Sequence, residues 1–137
     1  MEIEGVKAFL ERQEHVMVAY LFGSRVKGGV GVLSDIDIAV LLDGKLDKQE
    51  IFDLRLKLIN CLSSILKTDN IDVVVMNIAP LSLNYNIISE GKILHSKDDR
   101  ERVRFETRIL SRYLDRKYYD EKYVDAGLKR IAEKGIL

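Results

Sequence analysis

The chain has one cysteine, one proline and two histidines among 137 residues. With Cys61 alone, neither an internal disulfide nor a cysteine-based zinc site can form. His15 and His95 have no partner at ligand spacing, so neither is a metal-ligand candidate. A single proline, with no repeat and no low-complexity segment, leaves no linker. No apolar run approaches the ~20 residues that a membrane span needs. The N-terminus, MEIEGVKAFLERQE, is acidic and mixed where a signal peptide would be basic and then apolar. The compartment expected is therefore the cytoplasm, with no membrane partner. Neither sign of charge dominates: 22 basic residues face 22 acidic ones, so bulk charge argues neither for nor against nucleic acid. The rest of the composition, 47% hydrophobic and 32% charged, is that of an ordinary globular domain with a real core.

The most informative stretch runs from Tyr20 to Leu42, YLFGSRVKGGVGVLSDIDIAVLL. It reads as an apolar strand over 16–22, a turn at Gly23-Ser24, a glycine-bearing loop, and a second strand that opens on Asp35 and Asp37. Strand side chains alternate between faces, so Asp35 and Asp37 share one. Two carboxylates that close repel unless a cation neutralises them. A hard divalent ion held by carboxylate oxygens, with Mg²⁺ completed by substrate phosphates, meets that need. Gly23 permits a turn that a side chain would hinder. Ser24 offers a hydroxyl and an amide, Arg25 can fork onto phosphate oxygens, and Lys27 adds a second cation. Two other phosphate motifs fail. Gly28-Gly29-Val30 stands where a Walker loop needs Gly-Lys-Ser/Thr, and a dinucleotide fingerprint begun at Gly29 ends on Ser34. By itself the loop also reads as a flexible hairpin-like connection; the aspartate pair at fixed distance speaks for a site.

Around this stretch, residues 2–14 read as a short helix with Ile3, Val6, Phe9 and Leu10 on one side. Residues 47–66 form the clearest helix, its apolar stripe being Ile51, Leu54, Leu58, Cys61/Leu62 and Ile65. Cys61 on that stripe is a small core residue, since no base is placed near it. Residues 71–77 read as a β-branched third strand in which Asp72 is the anomaly. It is either a strand-end carboxylate bonded to a turn or a third acid reaching the Asp35/Asp37 site. A buried, unpaired carboxylate would be costly otherwise. A helix opened by Pro80 and closed at Glu90-Gly91 follows, and Lys92–Ser96 reads as a short edge strand. From Asp98 the chain is helical to about Asp115, with Val103, Phe105, Ile109, Leu110, Tyr113 and Leu114 on one side. Arg100, Arg104, Arg108, Arg112 and Arg116 fan over roughly 160° of the opposite arc, a solvated face or a surface for RNA or an acidic partner. Tyr118, Tyr119 and Tyr123 precede a final helix bearing Val124, Leu128 and Ile131, suited to a protein interface.

Gly23-Ser24, ten residues, then Asp35-Ile36-Asp37 resembles the GS-x10-D-x-D signature of the nucleotidyltransferase superfamily that includes DNA polymerase β. FGSR…G…SDIDIAV is most similar to its small prokaryotic branch, the minimal (MNT-type) nucleotidyltransferases. The family loop GSRARG is here GSRVKG, with the register kept. The resemblance implies an α/β (α+β) fold: a small mixed β-sheet with helices packed on it and a helical C-terminal tail. Residues 1–97 would be the nucleotidyltransferase domain and 98–137 a helical extension packed on it. It further implies that Asp35, Asp37 and Asp72 hold two Mg²⁺ ions, that Gly23, Ser24 and Arg25 bind the nucleotide, and that ATP is the substrate. In that branch the enzyme is the antitoxin of a two-gene module. It transfers AMP to a tyrosine of its partner, a HEPN-fold ribonuclease toxin. Two alternatives stand beside that reading: an antitoxin that acts by binding and occlusion, and an adenylyltransferase for small molecules such as aminoglycosides. A nucleic-acid substrate is not expected, because the chain is too short for the domains that larger relatives use to hold one.

Overall fold

The structure, a computed structural model, describes residues 2–23 and 36–133, the last three without their side chains. Helix α1 spans Ile3–Glu11, β1 Val16–Phe22, β2 Ile36–Leu42, α2 Lys48–Leu66 and β3 Ile71–Val75. A single 3-10 turn at Met76–Ile78 leads to α3, Leu81–Glu90, then β4, Lys92–Ser96, and α4, Asp99–Glu133. The four strands form one mixed sheet in the order β3-β2-β1-β4. β1 is antiparallel to both of its neighbours, while β2 and β3 run parallel. A parallel pair needs a crossover, and α2 supplies it. This is the mixed α+β fold that the sequence leads one to expect, with β4 on an edge.

The alternation of side chains sorts the sheet into two cores. On one face Ile36, Ile38, Val40, Val73 and Val75 meet Val6, Phe9 and Leu10 of α1 and Leu58 and Leu62 of α2. On the other, Val18, Tyr20 and Ala39 meet Ile87 of α3 and Phe105 and Ile109 of α4. A bulge in β1 between Val16 and Val18 changes the alternation. Val16 therefore serves the first core and Val18 the second, although residues two apart in a regular strand share a face.

Local chemistry sets the ends of the elements. Asp47 and Glu50 form a reciprocal capping box at the start of α2: each side chain accepts from the other's amide, at 2.8 and 3.1 Å. The stripe of Ile51, Leu54, Leu58, Leu62 and Ile65 packs on the first core as its spacing predicts, and Cys61 packs beside it, half-buried. The third strand stops at Val75, two residues short of the sequence expectation. There Met76 turns into the second core, and the Asn77 amide brackets Leu42, donating to its carbonyl at 2.9 Å and accepting from its N–H at 2.8 Å.

The C-terminal segment departs from the sequence reading. It is one continuous helix through residues 115–123, where two helices were expected. Only Phe105 and Ile109 of its apolar side are buried, and Tyr113 stacks on Tyr85 at 3.8 Å between ring centroids. Val103, Leu110 and Leu114 are exposed, as are Tyr118, Tyr119, Tyr123, Val124 and Leu128. The five arginines are exposed too, Arg104 pairing with Glu101 and Arg108 lying over the Phe105 ring at 5.9 Å. His15, for which spacing offered no partner, meets Asp43 at 2.9 Å. Burial acts against the Asp43 carboxylate, but the Lys45 amide and His15 hold its pKa below the ordinary value.

One buried polar link ties α4 to the sheet. The Tyr20 hydroxyl donates to Glu106 at 2.6 Å, and Arg102 donates to the other oxygen of Glu106 at 3.0 Å. Burial, then the Glu106 carboxylate, push the Tyr20 pKa far above its ordinary value, so the ring stays neutral and donating. Tyr20→Phe should cost about 1.5–3 kcal/mol, the worth of a hydrogen bond to a charged group lost without a cavity. Urea unfolding checks this. An unchanged midpoint would mean that apolar packing alone seats α4.

Candidate active site

β1 ends where β2 and β3 begin, because β1 runs against its neighbours. Three chain segments therefore meet at one end of the sheet. Phe22 is the register partner of Asp37, and Asp37 is the register partner of Asp72 on the parallel strand beyond. Ile36, Ile38, Ile71 and Val73 all point into the first core. Asp37 and Asp72, lying between them in sequence, project from the opposite face. Neighbouring strands lie about 4.8 Å apart, so two carboxylates stand side by side at the open end of the sheet.

Gly23 follows β1 directly. Its φ of +84° lies in the left-handed region that favours glycine. A Cβ built there would collide with the Asp37 carboxylate oxygen Oδ2. Gly23 thus has two reasons to be glycine: the chain must turn sharply away from the sheet, and it must do so against an aspartate.

Asp72 differs from its sequence portrait. It is not a buried, unpaired carboxylate: its side chain is 48% exposed and it carries a cation. Arg55 of α2 reaches around the β3 edge, donating from Nη2 to Asp72 Oδ1 at 3.0 Å and from Nε to the Val73 carbonyl at 2.7 Å. Sequence reasoning missed Arg55. Its signal was a lone cation flanking the Ile51/Leu54/Leu58 stripe, indistinguishable from an ordinary solvated charge until the edge strand is placed.

Of the six residues singled out in the sequence, the structure brings together Gly23, Asp37 and Asp72. Ser24, Arg25 and Asp35 lie outside the described residues, as does Lys27. Among the described residues no group of three metal-ligating side chains is assembled. The pair that is described does fit a hard divalent cation. It presents oxygen donors only, on one face, half-exposed and in register across two strands. No helix among the described residues is long and apolar enough to cross a membrane.

Comparison with known proteins agrees with this fold. The sequence profile of the family described as polymerase beta, nucleotidyltransferase matches residues 4–100. No curated protein sequence matches significantly. Among solved structures, a chain of a mutant MntA-HpeT toxin-antitoxin complex superposes with a TM-score of 0.70 at 26% identity, over 93% of this chain and 98% of that one. A chain of a toxin-antitoxin structure with AMP-PNP gives 0.67 at 26% identity, over 93% and 96%. A chain from the complex of a tri-AMPylated Shewanella oneidensis HEPN toxin with its MNT antitoxin gives 0.65 over 93% and 99%; at 23% identity it speaks for the fold alone.

Proposed function

The chain belongs to the polymerase beta family of nucleotidyltransferases, and from that premise we propose that it transfers AMP from ATP to a tyrosine of a HEPN-type toxin, acting as that toxin's antitoxin. The observation that carries the proposal is the Asp37–Asp72 register pair, set against the sharp turn at Gly23. Two similar structures support the choice of donor and acceptor: one is a toxin-antitoxin complex and another contains AMP-PNP.

In this reading Asp35, Asp37 and Asp72 would hold Mg²⁺, as two ions. The metal would supply Lewis acidity at the phosphate and lower the pKa of the acceptor hydroxyl. Gly23, Ser24 and Arg25 bind the β- and γ-phosphates, the turn letting backbone amides approach them. The Asp72 oxygen that Arg55 does not engage would face the metal and the tyrosine hydroxyl, where it helps to draw off the hydroxyl proton. The tyrosine oxygen forms a bond to the α-phosphorus while the bond from that phosphorus to the bridging oxygen breaks, and pyrophosphate leaves with the electron pair. Positioning and charge do most of the catalysis, as in other phosphoryl-type transfers.

Residues 1–97 form the transferase in this proposal and 98–137 the extension that meets the toxin. The exposed Leu114, Tyr118, Tyr119, Val124 and Leu128 of α4 suit such a contact. The same apolar stretch favours a second reading, in which binding by itself silences the toxin by occlusion. The cytoplasm, where ATP is available as donor, is the compartment that goes with this proposal.

Incubation with Mg²⁺ and α-labelled ATP, with and without the protein encoded beside it, tests the proposal. Label on that neighbour, lost in Asp35→Asn, is the expected result. Binding without label would leave occlusion standing, and neither label nor binding would redirect the search to small-molecule acceptors.

A further inference from the structure

We infer that Arg55 is a positioning residue for this reaction, holding the Asp72 carboxylate in its working orientation from a helix on the other side of the sheet. The inference rests on the reading of Asp72 as a site acid.

β3 is an edge strand, so its outer carbonyls face away from the sheet. α2 packs on the first core, and Arg55 lies beside its apolar stripe, close enough to reach past that edge. The guanidinium uses two donors from one rigid plane. Nε binds the Val73 carbonyl at 2.7 Å, and Nη2 binds Asp72 Oδ1 at 3.0 Å. The backbone bond fixes the plane, and the fixed plane then selects one orientation of the carboxylate, leaving its second oxygen for other partners. A lysine could not fix the same plane, because its ammonium is a point charge without a rigid fork.

Magnitude separates this role from simple stabilisation. Arg55 and Asp72 are 38% and 48% exposed, and ion pairs that open to solvent add little to folding stability. Partners that orient a metal-binding carboxylate, by contrast, typically change affinity or activity 10- to 100-fold, as an order of magnitude, when removed. Arg55 should therefore matter to turnover and much less to folding.

The test compares Arg55→Met, Arg55→Lys, Asp72→Asn and the Arg55→Met/Asp72→Asn double variant. Each is measured for AMP transfer to the neighbouring protein, for thermal unfolding, and for Mn²⁺ binding to the transferase alone by electron paramagnetic resonance. Arg55→Met should lower kcat about 10- to 100-fold with little change in KM for ATP, weaken Mn²⁺ binding, and unfold near the wild-type temperature. Arg55→Lys should fall between it and wild type. In the Asp72→Asn background, loss of Arg55 should cost almost nothing more. Normal kcat in Arg55→Met, multiplying losses in the double variant, or tighter Mn²⁺ binding would each overturn the inference. If Arg55→Met fails to fold, Arg55→Gln, which can still donate to Val73, carries the same expectation. Full activity in Asp72→Asn would instead remove Asp72 from the site, an outcome distinct from an Arg55 variant that fails the comparison while Asp72→Asn is inactive.

Discussion

Asp37→Asn should lower AMP transfer by about 10³-fold while leaving the fold intact. The substitution keeps the shape of the side chain and removes its charge, and charge is what the site needs from it. A metal ion at a transferring phosphate is worth several kcal/mol of transition-state stabilisation, and about 1.4 kcal/mol corresponds to each factor of ten. With Asp37 holding that ion, as proposed, loss of the carboxylate should cost about three orders of magnitude. Structurally the position asks little, since Asp37 projects away from the first core and is only half-buried. Transfer rate with labelled ATP, alongside circular dichroism, measures both halves. A variant that retains even a tenth of the activity would show that Asp37 does not carry the metal.

Gly23→Ala should cost both stability and turnover, for one geometric reason. At a φ of +84° any residue with a Cβ is strained, and here the Cβ would enter the space of Asp37 Oδ2. Strain of this kind costs about 1–3 kcal/mol. Relief requires the Asp37 carboxylate to turn away, and a displacement on the order of 1 Å at reacting groups can cost about 100-fold in rate. The two effects are separable. Denaturant unfolding reports the strain, and the Mn²⁺ requirement for transfer reports the displaced carboxylate. A Gly23→Ala protein with wild-type unfolding and turnover would mean that the turn relaxes freely and does not set the geometry of Asp37. Because Asp37 is the shared element, adding Gly23→Ala to Asp37→Asn should slow transfer little beyond Asp37→Asn alone.

Particular residues show where sequence reading worked. Ile51, Leu54, Leu58, Leu62 and Ile65 declare α2 through a period that chain geometry imposes locally, and the core receives them as expected. Gly23 and Asp37 are legible for the same reason: a turn and a strand start a fixed number of residues apart. Asp72 was legible as an anomaly but not as a half-exposed, arginine-bound carboxylate, since its exposure depends on β3 being an edge. The long apolar side assigned to α4 was too generous. Periodicity marks the residues able to face a core, while the length of the sheet decides how many find one, here Phe105 and Ile109.

By itself the sequence determined the kinds of element and their order as far as β4, together with the local signature, because helix period, strand alternation and turn chemistry act over a few residues. With Cys61 as its one cysteine, it was equally decisive in excluding an internal disulfide and a cysteine-based zinc site. Only the tertiary structure decided that Asp72 stands beside Asp37, that Arg55 holds it, that His15 meets Asp43 and that Tyr20 anchors α4. These pairs lie 35, 17, 28 and 86 residues apart. At such separations no local preference operates. The pairings follow from strand register, parallel for Asp37–Asp72 and antiparallel for His15–Asp43, and from which helix covers which face, and those are settled when the whole core closes.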